Sequence, residues 1–308
     1  MSQGTMNSDL TDEALSPDAE LRQRVAHRST LVSVMVNLVL TAAQVLAGLA
    51  SGSQGLIADG IHSLSDLFSD FVVLLANRHS QKEADDDHHY GHQRYENAAS
   101  LVLGMLLLVV GVGMLWSGVH KLEVPTLIAR VHPLALWVAL ITLSAKELLF
   151  RYMLRAAERV RSSLLVANAW HARSDAASSL VVALGIIGNL LGYPMLDPLA
   201  GVVVGLMVAK MGWGFAWESM NDLMDRAASE DDVARVRACL LSTPGVQGIH
   251  DLRTRKMGDL IVVDVHLELD GDLSVRQGHA IAIEARDHVM ASMPVLSVMT
   301  HVDPSDEL

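Results

Sequence analysis

Cysteine is almost absent from this chain: Cys239 is the only one among 308 residues. No intrachain disulfide can form, and no thiolate metal cluster can be built. Aromatic residues are also scarce, at 4%. The 51% hydrophobic content is therefore mostly Leu, Val, Ala, Ile and Met. With a mean hydropathy of +0.32, the composition is too apolar for an ordinary soluble protein and suits helices in lipid. The fifteen methionines are scattered and read as core or lipid-facing filler rather than a soft-metal path. Positive charge is in deficit, 23 Lys and Arg against 35 Asp and Glu, a net −12. That excludes nucleic acid as an expected partner and favours cations. Catalytic signatures are missing too. There is no G-x-x-x-x-G-K-[ST] loop and no H-E-x-x-H, so neither ATP hydrolysis nor a zinc protease of that type is expected. The chain does not read as an enzyme. Residues 1–27 lack an apolar signal-peptide core and read as a cytoplasmic tail, disordered or loosely helical.

What is present is six long apolar segments, near 30–50, 56–76, 98–119, 133–152, 164–191 and 195–217. Each is about 20 residues or more, enough to cross a bilayer. The links Ser51-Gly52-Ser53-Gln54-Gly55 and Gly192-Tyr193-Pro194 are short and uncharged. The link from Arg78 to Glu96, and the one around Arg151, Arg155, Arg159 and Arg161, are basic or strongly charged. An excess of Lys and Arg marks cytoplasmic loops, so these two links and both termini are expected in the cytoplasm. The helical membrane domain is assigned to residues 28–226.

From 227 to 308 the pattern changes. Glu230–Leu241 reads as an amphipathic helix, and Thr243-Pro244-Gly245 breaks it. A strand follows near 248–255. Ile261, Val263, Val265, Leu267 and Leu269 then alternate with Asp264, His266 and Glu268, as a half-buried strand requires. Residues 274–290 read as a helix and 295–302 as a last strand. The order α-β-β-α-β predicts a small cytoplasmic α+β domain, ferredoxin-like, with helices on one sheet face. Its modest core makes self-association expected.

Two pairs stand out in the membrane segments: His62–Asp66 and His171–Asp175. At i, i+4 both side chains lie on one helix face. An ionisable group in a membrane helix costs several kcal/mol unless paired or facing a wet cavity, and so marks function. Two imidazoles and two carboxylates make a full tetrahedral set for Zn²⁺ or a similar divalent cation. Asp59 and Asp70 share the His62 stripe. They and Asp197 either line a path or cap helix ends.

These stretches carry a family resemblance. Leu56-Ile57-Ala58-Asp59, the two H-x-x-x-D pairs, Asp85-Asp86-Asp87-His88-His89-Tyr90-Gly91-His92, Asp197-Pro198, Leu223-Met224-Asp225 and His250-Asp251-Leu252-Arg253-Thr254-Arg255 resemble the cation diffusion facilitators. The likeness covers nearly the whole chain after the tail, and is closest to the bacterial branch that exports zinc, cadmium or ferrous iron. It implies a homodimer with six membrane helices per subunit, a cytoplasmic ferredoxin-like domain and metal-for-proton exchange. It also implies three metal sites. His62, Asp66, His171 and Asp175 match the transport site, and Asp85, His88 and His92 a second site on the loop between helices two and three. His250, His266, His279, His301 and Asp303 match a two-metal site in the terminal domain that helps hold the dimer. Arg94 and Asp225 match a charge pair that locks the subunits at the membrane boundary. The branch usually has Asp where this chain has His62. The His/Asp/His/Asp set resembles zinc-restricted members, because imidazole suits Zn²⁺ and Cd²⁺ better than hard ions.

The expected function is proton-coupled export of a divalent cation, foremost Zn²⁺, across the cytoplasmic membrane. The alternatives are a main cargo of Fe²⁺, Cd²⁺ or Co²⁺, or a membrane-anchored metal sensor that moves no ion.

Overall fold

The structure, a computed structural model, describes residues 17–305 except 81, 83, 125, 127, 129 and 160–162. The side chains of residues 17–24, 26, 27, 70, 73, 74, 77, 163–165, 167, 168 and 171 also lie outside the described set. Six long helices come first: α1 (Pro17–Ser51), α2 (Gln54–Ser80), α3 (Arg94–Glu123), α4 (Leu134–Arg159), α5 (Ser163–Leu190) and α6 (Leu196–Leu223). There follow α7 (Glu230–Leu241), β1 (Gly248–Met257), β2 (Leu260–Leu269), α8 (Val275–Ser292) and β3 (Val295–Pro304). The first helix begins eleven residues before the expected membrane boundary at residue 28, with proline at its first position, where a missing N–H costs nothing.

Among the described residues, three of the six helices are long and apolar enough by composition alone to cross a membrane: Arg28–Ser51, Arg94–Glu123 and Leu196–Leu223. The expectation of six apolar spans is thus met by six helices but by only three apolar compositions. The reason is local. The inner faces of α2, α4 and α5 carry Asp59, His62 and Asp66, then Lys146, then Asp175, Ser178 and Ser179, which lower the average. Their outer faces are still greasy: Phe71, Leu75, Trp137, Ile141, Leu148 and Leu184 are all exposed. Large apolar side chains exposed on each of these helices suit lipid better than water.

By compactness the chain forms two units, residues up to Phe68 with Val110–Val208, and Ser69–Val109 with Ala209 onward. In the first, α4 packs along α5 and α1. Leu56, Val182, Ile186, Val204 and Val208 form a fully buried centre. In the second unit, the backbones of α3 and α6 come unusually close. A Cβ on Gly104 would sit 2.4 Å from the Ala216 backbone nitrogen, and one on Gly212 would sit 2.5 Å from that of Leu108. These distances are below van der Waals contact, so only glycine lets the two backbones meet there.

In the second unit the sheet order is β1-β2-β3, with β1 antiparallel to β2 and β2 parallel to β3. The parallel pair is joined through α8, as a crossover connection requires. The alternation read in the sequence becomes burial: Val263, Val265, Leu267 and Leu269 are almost fully enclosed. They pack with Val236 and Leu240 of α7 and Ala285 and Val289 of α8. Each such side chain contributes about 1.5–3 kcal/mol relative to exposure. The α-β-β-α-β order holds, and β3 runs two residues past its expected end.

Candidate metal sites

The N-terminus of α2 is fixed from two directions. Ser53 caps it locally by accepting the Leu56 amide at 3.1 Å. Asp197, at the start of α6, accepts the Gln54 amide at 2.7 Å and the Gly55 amide at 3.4 Å. A helix N-terminus leaves amides without partners, and a carboxylate also suits its dipole. Asp197 is therefore a cap rather than a path-lining group.

Two turns on, His62 is buried, and its Nδ1 lies 3.7 Å from Asp66 Oδ2. Asp175 of α5 joins them. One ligand atom from each of His62, Asp66 and Asp175 lies within 4.8 Å of the others. Three of the four residues expected at the transport site thus converge. The side chain of His171 lies outside the described residues, as does that of Asp70. Asp59 is buried but does not join this group. Its carboxylate accepts from Gln44 Nε2 of α1 and from the hydroxyls of Ser178 and Ser179 at 2.8 and 2.6 Å. It also lies 3.8 Å from the Lys146 ammonium of α4. Lys146 carried no role in the sequence reading; a lysine following twelve mostly apolar residues of α4 was the available signal.

On the α2–α3 loop, Asp85 Oδ1 lies 3.3 Å from His88 Nδ1, and Asp85 Oδ2 lies 3.4 Å from His92 Nε2. These three expected residues also form a metal-sized group, with only His92 buried. Gly91 makes the reversal possible at φ +79°, and its amide donates to the His88 carbonyl at 3.0 Å. Desolvation, the largest single influence, pushes the Asp85 carboxyl up. The amides of His88 and Asp87 and the His88 and His92 rings outweigh it and hold the group below the usual carboxylate range. The site opens on a cavity of about 720 Å³ lined by His88, Tyr90, His92 and Arg255.

In the sheet, β2 and β3 pair His266 with His301 and Glu268 with Asp303. Asp303 gathers three imidazoles: His266 Nδ1 at 2.7 Å, and His250 Nε2 and His301 Nε2 each at 3.2 Å. The His266 hydrogen bond lowers the Asp303 carboxyl below its usual range against desolvation, with the charges of His301, His266 and His250 adding to the lowering. Two ligand groups result, His266/His301/Asp303 and His250/Asp251/His266. Asp251 was not expected. A register shift between His250 and Arg253 and a φ of +45° turn its carboxylate back beside His250. Bulges re-aim side chains in this way, but nothing in the local sequence announces one. Among the described residues His279 joins neither group. It is exposed on α8 and lines, with Asp303, a neighbouring cavity of about 490 Å³. The donors fit divalent borderline metals: imidazole nitrogens and carboxylate oxygens at the separations that tetrahedral ligands need.

Arg94, at the start of α3, donates to Asp225 Oδ1 and to the Leu223 carbonyl at the end of α6. Both side chains are about half exposed, so within one chain the pair is worth little.

Two family models match the chain: the cation efflux transmembrane domain over residues 30–224, and the cytoplasmic domain of cation efflux proteins over residues 228–305. Metal tolerance protein 2 of Oryza sativa subsp. japonica is 35% identical over 92% of this chain and 79% of its own length. Metal tolerance protein C1 of Arabidopsis thaliana is 35% identical over 89% of this chain, which spans 61% of that protein. The manganese efflux system protein MneP of Bacillus subtilis is 31% identical over 93% of this chain and 98% of its own length.

Proposed function

The chain belongs to the cation efflux family of membrane metal-cation transporters, and on that premise we propose that it exports Zn²⁺ from the cytoplasm in exchange for protons. The observation that carries this reading is the convergence of His62, Asp66 and Asp175 inside the helical layer. His171, one turn before Asp175 on the same helix, supplies the fourth donor. Two carboxylates offset the charge of a divalent ion, and two imidazoles bias the set toward borderline metals. Metal binding needs neutral imidazole and ionised carboxylate, so protons compete with the ion. Imidazole, which gains and loses a proton within the physiological pH range, is suited to exchange proton for metal between cell and exterior. Access alternates by movement of helices around the site. Asp85, His88 and His92 serve as a cytoplasmic site on the loop. Zinc held by His250, Asp251, His266, His301 and Asp303 serves as a structural or sensory ion at a homodimer contact, with Arg94 and Asp225 as a second contact. The protein is a multi-pass protein of the cytoplasmic membrane with both termini inside.

One relative favours a second reading: the matched MneP is named for manganese efflux. The test is competitive flux in proteoliposomes with a proton-sensitive dye inside. Zn²⁺-driven flux with opposite proton movement, little affected by Mn²⁺, supports the zinc reading. Preferential Mn²⁺ flux overturns it, and metal binding without flux favours a sensor.

A further inference from the structure

The Asp59–Lys146 cluster is a second buried polar assembly, distinct from the metal ligands. Asp59, Lys146, Gln44, Ser178 and Ser179 are all almost completely enclosed. Burying two charges costs several kcal/mol per ion, and a well-packed apolar pair of similar volume is often as stable or more so. Stability alone is therefore a weak reason for the pair. Its contacts point to the neighbouring site instead. The Lys146 ammonium reaches Ser63 Oγ at 3.1 Å and the backbone carbonyl of Asp175 at 3.4 Å, besides Asp59. Ser63 adjoins His62, and Asp175 is itself in the ligand group. Ser178 Oγ lies 2.7 Å from the Asp175 carbonyl and 2.8 Å from Asp59. Asp59 stands one turn from His62 on α2, and Ser178 one turn from Asp175 on α5. The cluster is thus a layer abutting the ligands on both helices. It ties α1, α2, α4 and α5 at one level.

We infer that Lys146 and Asp59 are positioning residues for metal capture: they hold α2 and α5 at the separation at which His62, Asp66 and Asp175 share one ion. Both Asp59 oxygens are already engaged, so Asp59 is a fastening for α5 rather than a ligand. The ammonium cancels its charge, so the layer adds no competing anion beside a site for a dication. Ligand sets tolerate little misplacement; about 1 Å can cost 100-fold.

This inference rests on the transport-site reading above. The test uses the full chain in proteoliposomes with Zn²⁺ as the probe, comparing wild type, Lys146→Met, Lys146→Arg, the double variant Asp59→Leu with Lys146→Met, and Asp175→Ala as control. The double variant removes both charges and leaves neither buried alone, so it keeps the fold testable. The expected result is a KM for zinc raised at least tenfold in Lys146→Met and in the folded double variant, with partial recovery in Lys146→Arg. Zinc binding at the Asp85/His88/His92 loop should be unchanged in each. A folded double variant with wild-type KM and kcat overturns the positioning role while leaving the transport site standing. Zinc flux that survives Asp175→Ala overturns the transport-site reading and this inference with it.

Discussion

Asp66 and Asp175 supply the two negative charges that a divalent cation needs at the His62 site, and no other carboxylate among the described residues joins them there. Asp66→Ala or Asp175→Ala should lower zinc flux by about 100-fold or more, with the purified protein still folded. Near-normal flux in either purified variant would remove these residues from the transport site. His62 sets a finer property. His62→Asp exchanges a borderline nitrogen for a hard charged oxygen. It should keep zinc transport but broaden it toward Fe²⁺, Mn²⁺ or Cd²⁺. Competitive flux of each metal against zinc reads this, and unchanged ratios would place selectivity outside the ligand set. At this scale the sequence was informative where chemistry is written in one short spacing, as for His62 and Asp66. The grouping of Asp85, His88 and His92 came from the family resemblance and not from their spacing. It was silent where a side chain's role depends on a distant partner. Asp59 was read as lining a path or capping a helix, yet its partners come from α1, α4 and α5. Asp251 became a ligand candidate only through a backbone bulge.

Among the elements, α8 shows how a local signal fixes a boundary. Ser274 caps it, with Gln277 closing a reciprocal capping box. Ser274→Ala should destabilise the fragment from residue 227 onward by about 1 kcal/mol, read as a lower denaturant midpoint with unchanged slope. The α3–α6 crossing is the opposite case, since its determinant is missing volume. Gly212→Val would drive a side chain into the Gly104 carbonyl, 2.8 Å from a Cβ there, and into the Leu108 amide. That backbone cannot give way as a flexible side chain would. The variant should reach the membrane in poor yield, and thermal unfolding in detergent should fall by several degrees. A wild-type melting profile would mean that the two helices can part. The helices themselves were legible because apolar runs of this length have few alternatives. Their ends were less so: α1 and α6 continue past the expected limits, since helix ends are set by caps and contacts rather than by hydropathy.

For the whole molecule, the proposed function couples metal binding to assembly in the terminal domain. His250→Ala with His301→Ala removes one imidazole from each ligand group that shares His266. The fragment from residue 227 onward should then bind less zinc and dimerise more weakly, while the full-length variant retains translocation. Calorimetry and sedimentation of the fragment measure both, and a wild-type fragment that binds no zinc defeats the idea. One earlier contact bears on how such a chain is made. The Gln54 amide at the head of α2 finds its carboxylate on Asp197, 143 residues later. A buried amide left without a partner costs about 1–3 kcal/mol. When α2 leaves the ribosome, the last membrane helix has not been synthesised. The cap of the second helix is therefore completed only when the sixth arrives. A nascent chain released before residue 197 lacks the carboxylate that completes this helix end.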